Sequence, residues 1–152
     1  LVCDVMAAVG IESQITEALF ERLRGLTLSP AVPVAWPDTE FPGKDVSGAE
    51  KAKPDLYFEV HQLSADPAAI GISAWDDRAG ILQVDVVSNQ FRGQIKPTQY
   101  ADQIAAHFPR NLKLPNGSVR VDIIEPPAIA APIPDAPYSR TPVSIRYRCF
   151  TR

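Results

Sequence analysis

Two proline-rich stretches restrict where this chain can form regular secondary structure. They are LSPAVPVAWPDTEFPGKDVSG at residues 28–48 and EPPAIAAPIPDAPYSRTP at residues 125–142. Proline has no backbone N–H to donate, so it is disfavoured in helix interiors and in central strands. We therefore expect the first stretch to run extended over the surface, with at most a short strand at 33–36. The second stretch is expected to be an exposed, semi-rigid excursion.

Outside these stretches, apolar residues spaced four apart predict two helices. The first helix covers roughly residues 11–25, and its apolar face is formed by Ile11, Ile15, Leu19 and Leu23. The second begins near Pro97, which suits the first turn of a helix, and ends at Pro109. Its apolar face is formed by Tyr100, Ile104 and Phe108. Each helix is amphipathic and must bury this face against other elements.

Four further stretches alternate apolar and polar residues, which is the pattern of half-buried β-strands. They cover residues 55–63, 80–88, 118–124 and 143–150. Residues 64–79 begin with the turn pair Asp66–Pro67 and end in a charged cluster. We interpret them as a long hairpin connection between the first two strands.

This order of elements favours an α+β fold, with a mainly antiparallel sheet of about four to five strands and both helices packed on one face. A chain of 152 residues is long enough to bury a single core. We therefore expect residues 11–152 to form one domain and residues 1–10 to be an N-terminal extension. The second sheet face must be wet or covered by a partner, and the alternation assigns Gln83 and Asp85 to it.

Composition argues against several classes of protein. The chain has 15 Lys and Arg against 18 Asp and Glu, a net charge of −3. This charge argues against a protein that binds nucleic acid through its phosphates. The two cysteines, Cys3 and Cys149, do not make a disulfide framework, so a reduced cytosolic protein is expected. The opening LVCDVMAAVG has no basic region and contains Asp4, which argues against a signal peptide or a membrane span. Met6 is a candidate start, which would make residues 1–5 an extension.

Reactive side chains are not arranged for catalysis, cofactor binding or metal binding. His61 and His107 are the only histidines, and their spacing of 46 positions matches no metal-ligand motif. Cys149 alternates with polar residues and is interpreted as a small apolar filler. The pair Asp76 and Asp77 is interpreted as part of a solvated turn. We therefore expect a protein that is not an enzyme.

A basic stripe is predicted on the last two strands. Arg146 and Arg148 share one face of the final strand, and Arg120 of the preceding strand can join them. Charged residues on the solvent face of a strand are common. A sharper interpretation is that the stripe forms ion pairs with a neighbouring subunit.

Four phrases occur together and in order along the chain: IESQITEALFERL, GILQVDVV, YADQIAAHFPRNLKL and VSIRYRC. With them, about residues 11–150 resemble the small tail-terminator proteins of long-tailed bacteriophages and related prophages. The resemblance implies an α+β subunit that assembles as a homo-hexameric ring on the end of the finished tail tube. Such a ring stops tube polymerisation and provides the head-tail joining surface.

The same resemblance implies partners and a location. The partners are the tail tube protein and a head-tail connector or neck protein, with DNA passing through the lumen without tight binding. It implies no cofactor, no turnover and no membrane. The expected location is the virion tail at the neck, after assembly in the host cytoplasm. The chain departs from the family pattern before Ile11 and in the long stretch GKDVSGAEKAKPD at residues 43–55.

Candidate interface residues follow from the interpretation as a tail protein. A tryptophan flanked by charges is typical of protein interfaces. We therefore assign the contact with the tube to residues of the predicted connection: Trp75, Asp76, Asp77 and Arg78. The alternative is that Trp75 folds back over the core. Further candidates for tube or subunit contacts are Gln83, Asp85, Arg146 and Arg148.

Two other functions stay open. The protein could be another neck or head-completion protein of the same virion, which its position in particles would decide. It could also be a small hydrolase or a metal-dependent enzyme with a site near His61 and Asp85. Metal analysis and activity screening address that alternative.

Overall fold

The computed structural model describes residues 10–72 and 74–152, which form two helices and nine strands. The helices are α1 (Ile11–Arg24) and α2 (Ile95–His107). The strands are β1 (Val34–Ala35), β2 (Leu56–Ser64), β3 (Ala68–Ile70), β4 (Trp75–Asn89), β5 (Lys113–Asn116), β6 (Val119–Ile123), β7 (Ala128–Ile129), β8 (Ile133–Asp135) and β9 (Tyr138–Thr151). Residues 1–9 of the predicted extension, with Cys3 and Met6, lie outside the described residues.

Both helices lie where the four-residue spacing predicts them. α1 begins after Gly10, whose carbonyl accepts hydrogen bonds from the Gln14 backbone N–H and the Ser13 hydroxyl, both at 2.9 Å. It ends at Arg24 and is followed by its C-cap residue Gly25, in agreement with the predicted boundary. α2 begins two residues before Pro97, which therefore occupies the first turn, where a missing N–H costs no helical hydrogen bond.

All nine strands join one mixed sheet, in the order β1-β2-β4-β9-β6-β5, with β3 beside β4 and both β7 and β8 beside β9. Its centre is the long antiparallel ladder between β4 and β9. The ladder runs from the pair Asp76–Thr151 to the pair Asn89–Tyr138. β2 and β3 share the other edge of β4, while β6, β7 and β8 share the other edge of β9.

The predicted fold class is wrong in the number and the pairing of strands. We expected a mainly antiparallel sheet of about four to five strands, whereas the sheet has nine and is mixed. Its parallel pair is β1 with β2, in which Val34 lies opposite Phe58. Five of the nine strands have only two to four residues. So few residues hold too few alternations to reveal a strand in the sequence.

Residues 64–79 are not the irregular connection that we expected. They contain β3 and the first five residues of β4, and Asp76 and Asp77 pair with both β3 and β9. The two aspartates therefore lie in a strand and not in a solvated turn. Backbone pairing with strands distant in sequence overrides the weak local preference of a charged segment.

The second proline-rich stretch is also more regular than predicted. It forms β7, β8 and the start of β9, so it borders the sheet instead of leaving it. Pro134 lies in the outer strand β8, a position where a missing donor is tolerated. The Pro142 carbonyl accepts a hydrogen bond from the Ala130 N–H at 2.9 Å, which fastens the stretch to β9.

One apolar core lies between the sheet and both helices. The helices contribute buried side chains from the predicted stripes: Ile15, Leu19 and Leu23 of α1, and Ala101, Ile104 and the following Phe108 of α2. The sheet contributes alternate residues of its long strands, among them Leu82, Val84 and Val86 of β4, and Val143, Ile145 and Tyr147 of β9. Burial of each large apolar side chain contributes about 1.5–3 kcal/mol. Both helices therefore pack on the same face of the sheet.

Gly80, the first residue of GILQVDVVS, is required by a close approach between strands. It lies opposite Tyr147 in the ladder, and the tyrosine ring covers it. A Cβ at this position would lie 2.6 Å from Cζ of Tyr147 and 2.5 Å from the Leu63 carbonyl oxygen. The Tyr147 hydroxyl accepts a hydrogen bond from Gln62 Nε2 at 3.1 Å. The glycine thus admits a large side chain whose polar end stays satisfied.

Charges placed on the helix stripes should unfold the subunit. Leu19→Asp and Ile104→Asp each put a carboxylate where the native side chain is fully buried. We expect each to lower the free energy of unfolding by at least about 4 kcal/mol, because an unpaired charge in an apolar core is very costly. Urea denaturation followed by circular dichroism measures this.

Gln103→Asp on the exposed side of α2 is the matched control. It should cost below about 1 kcal/mol, since it changes only helix propensity and surface charge. An unchanged unfolding midpoint for Leu19→Asp or Ile104→Asp would show that these helix faces do not form the core.

Candidate functional site

The outer face of the sheet, opposite the helices, carries the polar side chains of the central strands. Successive side chains of a strand point to opposite faces, so Leu82 and Val84 face the core while Gln83 and Asp85 face outward. The structure therefore places Gln83 and Asp85 on the second face, where the alternation puts them. This face holds most of the candidate interface residues.

A polar group that we call the Arg140 cluster occupies this face. Its members are Glu59, His61, Gln83, Asp85, Asp135 and Arg140. The Arg140 guanidinium donates to Glu59 Oε2 through Nη1 and to Asp135 Oδ2 through Nε, each at 2.7 Å. Nη1 also lies 3.6 Å from Asp85 Oδ2. One arginine of β9 thereby joins carboxylates from β2, β4 and β8.

Asp85 is the buried member of the Arg140 cluster, with only 4% of its surface exposed. Its Oδ1 accepts a hydrogen bond from Gln83 Nε2 at 2.8 Å, and its Oδ2 faces Arg140. A buried carboxylate is costly unless hydrogen bonds and an opposite charge compensate it. Gln83 and Arg140 supply both, so these polar residues in the strand GILQVDVVS stabilise one another.

The contacts of Arg140 favour its charged form. Burial disfavours the charged guanidinium, but hydrogen bonds to Asp135 and Glu59 outweigh that cost and raise the pKa of Arg140. The cluster therefore keeps one permanent cation among three carboxylates. Its contacts link β9 to β8 and, across β4, to β2.

His61 and Asp85, the centre of the enzyme alternative, are near each other but differ in access to solvent. His61 Nε2 lies 3.2 Å from Glu59 Oε1 and 3.8 Å from Asp85 Oδ2. His61 lines a cavity of about 420 Å³ beside the aromatic residues Trp36, Phe41 and Tyr57. Among residues 10–72 and 74–152, no group of three or more His, Cys, Asp or Glu is placed to hold a metal ion.

The remaining reactive side chains, Cys149 and His107, are used in packing and hydrogen bonding within the subunit. Cys149 is fully buried in the core, as its interpretation as a filler requires. Burial raises the pKa of its thiol, which disfavours the nucleophilic thiolate. His107 Nε2 lies 2.5 Å from the Arg22 carbonyl oxygen, and Arg22 Nε donates to the His107 carbonyl at 3.0 Å. This reciprocal contact joins the ends of the two helices.

The predicted basic stripe is matched by acidic residues of the same subunit. Each arginine lies near one carboxylate: Arg148 with Asp77 at 3.0 Å, Arg120 with Asp122 at 3.0 Å, and Arg146 with Glu125 at 3.8 Å. Arg148 Nε and Asp77 Oδ1 are buried without a hydrogen-bond partner among the described residues. The stripe is therefore a row of ion pairs within the subunit, and its most exposed pair, Arg146 with Glu125, contributes little stability.

An apolar tip lies where β3 turns into β4, and we define it by Ile70, Ile72 and Trp75. Ile70 and Trp75 are cross-strand partners. Ile72 is fully exposed and Trp75 is 41% exposed. Arg152 covers part of the Trp75 ring, with its guanidinium carbon 5.8 Å from the ring centroid. Trp75 is absent from the buried core, so the alternative that it folds over the core is wrong.

Arg78 points to the opposite face from Asp77 and fastens α1 to the sheet. Its Nη1 donates to Glu12 Oε1 at 2.6 Å, and its Nε donates to Thr151 Oγ1 at 3.1 Å. Its side chain is only 20% exposed. A substitution of Arg78 would therefore change the packing of α1 as well as any contact with a partner.

Sequence reasoning missed several exposed apolar residues, among them Phe91 and Val46. Phe91 is 99% exposed in the loop between β4 and α2, where its φ is +63°. Val46 is fully exposed in the long connection before β2. An isolated aromatic residue next to arginine and glycine, as in QFRGQ, was the available signal, because it resembles an interface anchor.

Removing the Arg140 charge should destabilise the subunit. Arg140→Met leaves Asp85 and Glu59 without their shared cation, so we expect the free energy of unfolding to fall by about 2–4 kcal/mol. Arg120→Met is the control, because its pair with Asp122 is more exposed and is worth below about 1 kcal/mol. Urea denaturation at neutral pH compares the two. Equal costs would contradict a structural role for the Arg140 cluster.

One of the comparisons with known proteins identifies a family. The family model described as phage tail terminator protein matches residues 14–147. One matching solved structure is 26% identical, with a TM-score of 0.70, and the alignment covers 92% of this chain and 96% of that chain. The comparison with curated proteins found no match. Among the described residues, no helix is long and apolar enough to span a membrane. The match over most of its length shows that this chain belongs to the phage tail terminator family.

Proposed function

We propose that this protein forms a homo-hexameric ring on the end of the finished tail tube, stops tube polymerisation and provides the surface for head joining. The observation that carries this proposal is the family match over residues 14–147. A terminator must bind the last layer of the tube, and it must also offer a different surface to the next component.

Membership of the family has two direct consequences. The phage tail terminator family is structural, which fits a protein without catalytic activity. The family also implies a component of the virion tail. Our proposal adds assembly in the host cytoplasm and a final position at the neck, next to a head-tail connector or neck protein.

We assign the contact with the tube to the apolar tip. Ile72 and Trp75 expose apolar surface at the end of a hairpin that is paired with the central ladder. Tryptophan is enriched among the residues that dominate binding energy, and nearby charges of Asp76 and Asp77 can orient a partner. The tip is an extension of the sheet, so it is preorganised for binding.

The length of the ladder supports two separate contacts. β4 has 15 residues, which span about 50 Å in an extended strand. The apolar tip lies at its first residue, and the exposed loop with Phe91 follows its last residue. One subunit can therefore meet the tube at one end of β4 and another protein at the opposite end.

The tip should be needed for length control but not for folding. The best variant is the double substitution Ile72→Ser and Trp75→Ala, which leaves Arg78 and its contact with α1 intact. We expect normal folding and tails of uncontrolled length, measured by electron microscopy of particles assembled with the variant. Ile133→Ser, a half-exposed residue of β8 at the far end of the ladder, is the control and should give normal tails. Normal tails from the double variant would show that the apolar tip is not the contact with the tube.

The ring should not hold DNA tightly, because the genome must slide through the lumen. With a formal net charge of −3 per subunit, we expect a dissociation constant no tighter than about 10⁻⁵ M for duplex DNA at physiological salt. Fluorescence anisotropy with a labelled duplex measures this. Tight binding that weakens steeply with added salt would contradict this part of the proposal.

A further inference from the structure

An exposed surface with apolar and basic side chains lies at the start of α2, and we define the Phe91 surface by Phe91, Arg92, Ile95 and Lys96. Phe91 is 99% exposed and Ile95 is 77% exposed. A positive φ is unfavourable for a bulky residue, so the loop presents the Phe91 ring to solvent at some cost in backbone strain. A ring exposed in this way gains no packing energy within its own subunit. An aromatic residue beside an arginine is typical of binding surfaces.

Hydrogen bonds on both sides fix the position of Phe91. Before it, the Gln90 N–H donates to the Pro137 carbonyl at 3.0 Å. After it, the N–H and the hydroxyl of Thr98 donate to the Gln94 carbonyl at 3.1 Å and 2.8 Å. The surface is therefore preorganised, so binding a partner costs little ordering entropy on this side of the contact.

A groove of about 520 Å³ adjoins the Phe91 surface, between α2 and the segment that follows α1. Leu28 and Tyr100 form its apolar wall, and both pack against the core. Gln94, Gln99 and Gln103 add side-chain amides, which can donate hydrogen bonds to a peptide backbone and accept them from it. The groove thus offers both apolar contact and hydrogen bonds to an extended segment.

The charges at this groove are basic and unmatched. Arg92 and Lys96 line it, and no carboxylate does. Within the part of the chain that the structure describes, neither side chain forms an ion pair. The arginines of the outer face differ, because Arg140 and Arg148 each lie near a carboxylate of the same subunit. An anionic partner would gain from both free cations without displacing an existing pair.

Two acidic residues of the same region do not line this groove. Asp55 lines a second groove of about 270 Å³, which Arg92 and Lys96 also border. Its carboxylate accepts a hydrogen bond from Asn89 Nδ2 at 2.9 Å. Asp102 lies on α2 but lines neither groove. We therefore assign the anionic partner to the larger groove.

DNA is another anion of the virion, and the Phe91 surface suits it less than a polypeptide. Duplex DNA is bound by several cations placed along its phosphates, and its affinity comes mainly from them. Here two cations lie beside two large exposed apolar side chains. Phosphates make no use of Phe91 and Ile95. A polypeptide segment with carboxylates and apolar side chains uses both kinds of group.

We propose that the Phe91 surface binds an extended acidic segment of the protein that follows the terminator at the neck. Apolar side chains of this segment pack against Phe91 and Ile95, and its carboxylates lie near Arg92 and Lys96 in the larger groove. The inference rests on the proposed function and names the chemistry of the partner on the head side. The surface follows the last residue of β4, whereas the apolar tip lies at the first.

A photoreactive side chain on this surface identifies its occupant. Phe91→p-benzoylphenylalanine replaces one exposed aromatic side chain with another that cross-links on irradiation. In assembled particles, mass spectrometry should find a cross-link to a segment of a neck protein in which Asp or Glu adjoins apolar residues. A cross-link to another terminator subunit, to the tube protein or to DNA would overturn the proposal. The absence of any cross-link would overturn it as well.

Charge reversal tests the two cations. Arg92→Glu with Lys96→Glu should lower the rate at which purified tails join DNA-filled heads by about 30-fold or more, because the acidic segment is then repelled. Arg110→Glu with Lys113→Glu is the matched control, since it makes the same change in charge at exposed residues beyond the other end of α2. All four residues are exposed, so thermal unfolding should match that of the wild type. Electron microscopy counts the joined particles, and equal rates for the two double variants would contradict a role for Arg92 and Lys96.

Tail length separates failure of this inference from failure of the proposed function. The charge-reversed variant should give tails of normal length, because its apolar tip is unchanged. If these tails join heads at the wild-type rate, the inference is wrong and the terminator function stands. Tails of uncontrolled length would place the Phe91 surface at the tube and also overturn the inference. If particles assembled without this protein have tails of normal length, the proposed function itself is wrong.

Discussion

The structure depends on the antiparallel ladder between β4 and β9. Every other strand except β1 and β5 hydrogen-bonds to one of these two, and β1 and β5 attach through β2 and β6. Gly80 and Tyr147 hold the register, because the tyrosine ring needs a partner without a side chain. A slip by one residue would turn Asp85 into the core and Leu82 out of it. The ladder therefore has one register in which both faces are satisfied.

Each face of the ladder adds its own constraint. On the core face, Thr16 of α1 donates to Gln62 Oε1 at 2.8 Å, and Gln62 donates in turn to the Tyr147 hydroxyl, which links the helix to the strand pair. On the outer face, Arg140 joins carboxylates from three other strands. These polar contacts contribute modest net stability, since desolvation offsets most of their energy. They specify which strands lie side by side.

The sequence predicts the parts of this fold that depend on local patterns. Both helices and the middle of β2, β4 and β9 follow from their periodicity, and so does the outward direction of Gln83 and Asp85. The two ends of the ladder do not, because Asp76 belongs to a strand only through its partners Ala69 and Thr151, which lie in other strands. The ion pair of Asp77 with Arg148 has the same origin. The exposed position of Phe91 depends on a backbone angle that no periodicity encodes.

In the centre of the β4–β9 ladder, the strand edges, the inner face and the outer charges already have partners within the subunit. This leaves the two ends of the ladder for binding. In the middle, β4 and β9 have partners on both edges, their inner face is under the helices, and the outer charges are matched within the subunit. A partner there would have to displace existing contacts. The tip at Trp75 and the loop at Phe91 instead expose apolar side chains on short segments at the two ends of β4. A binding surface costs least where the chain has already fixed its shape and left its apolar groups free.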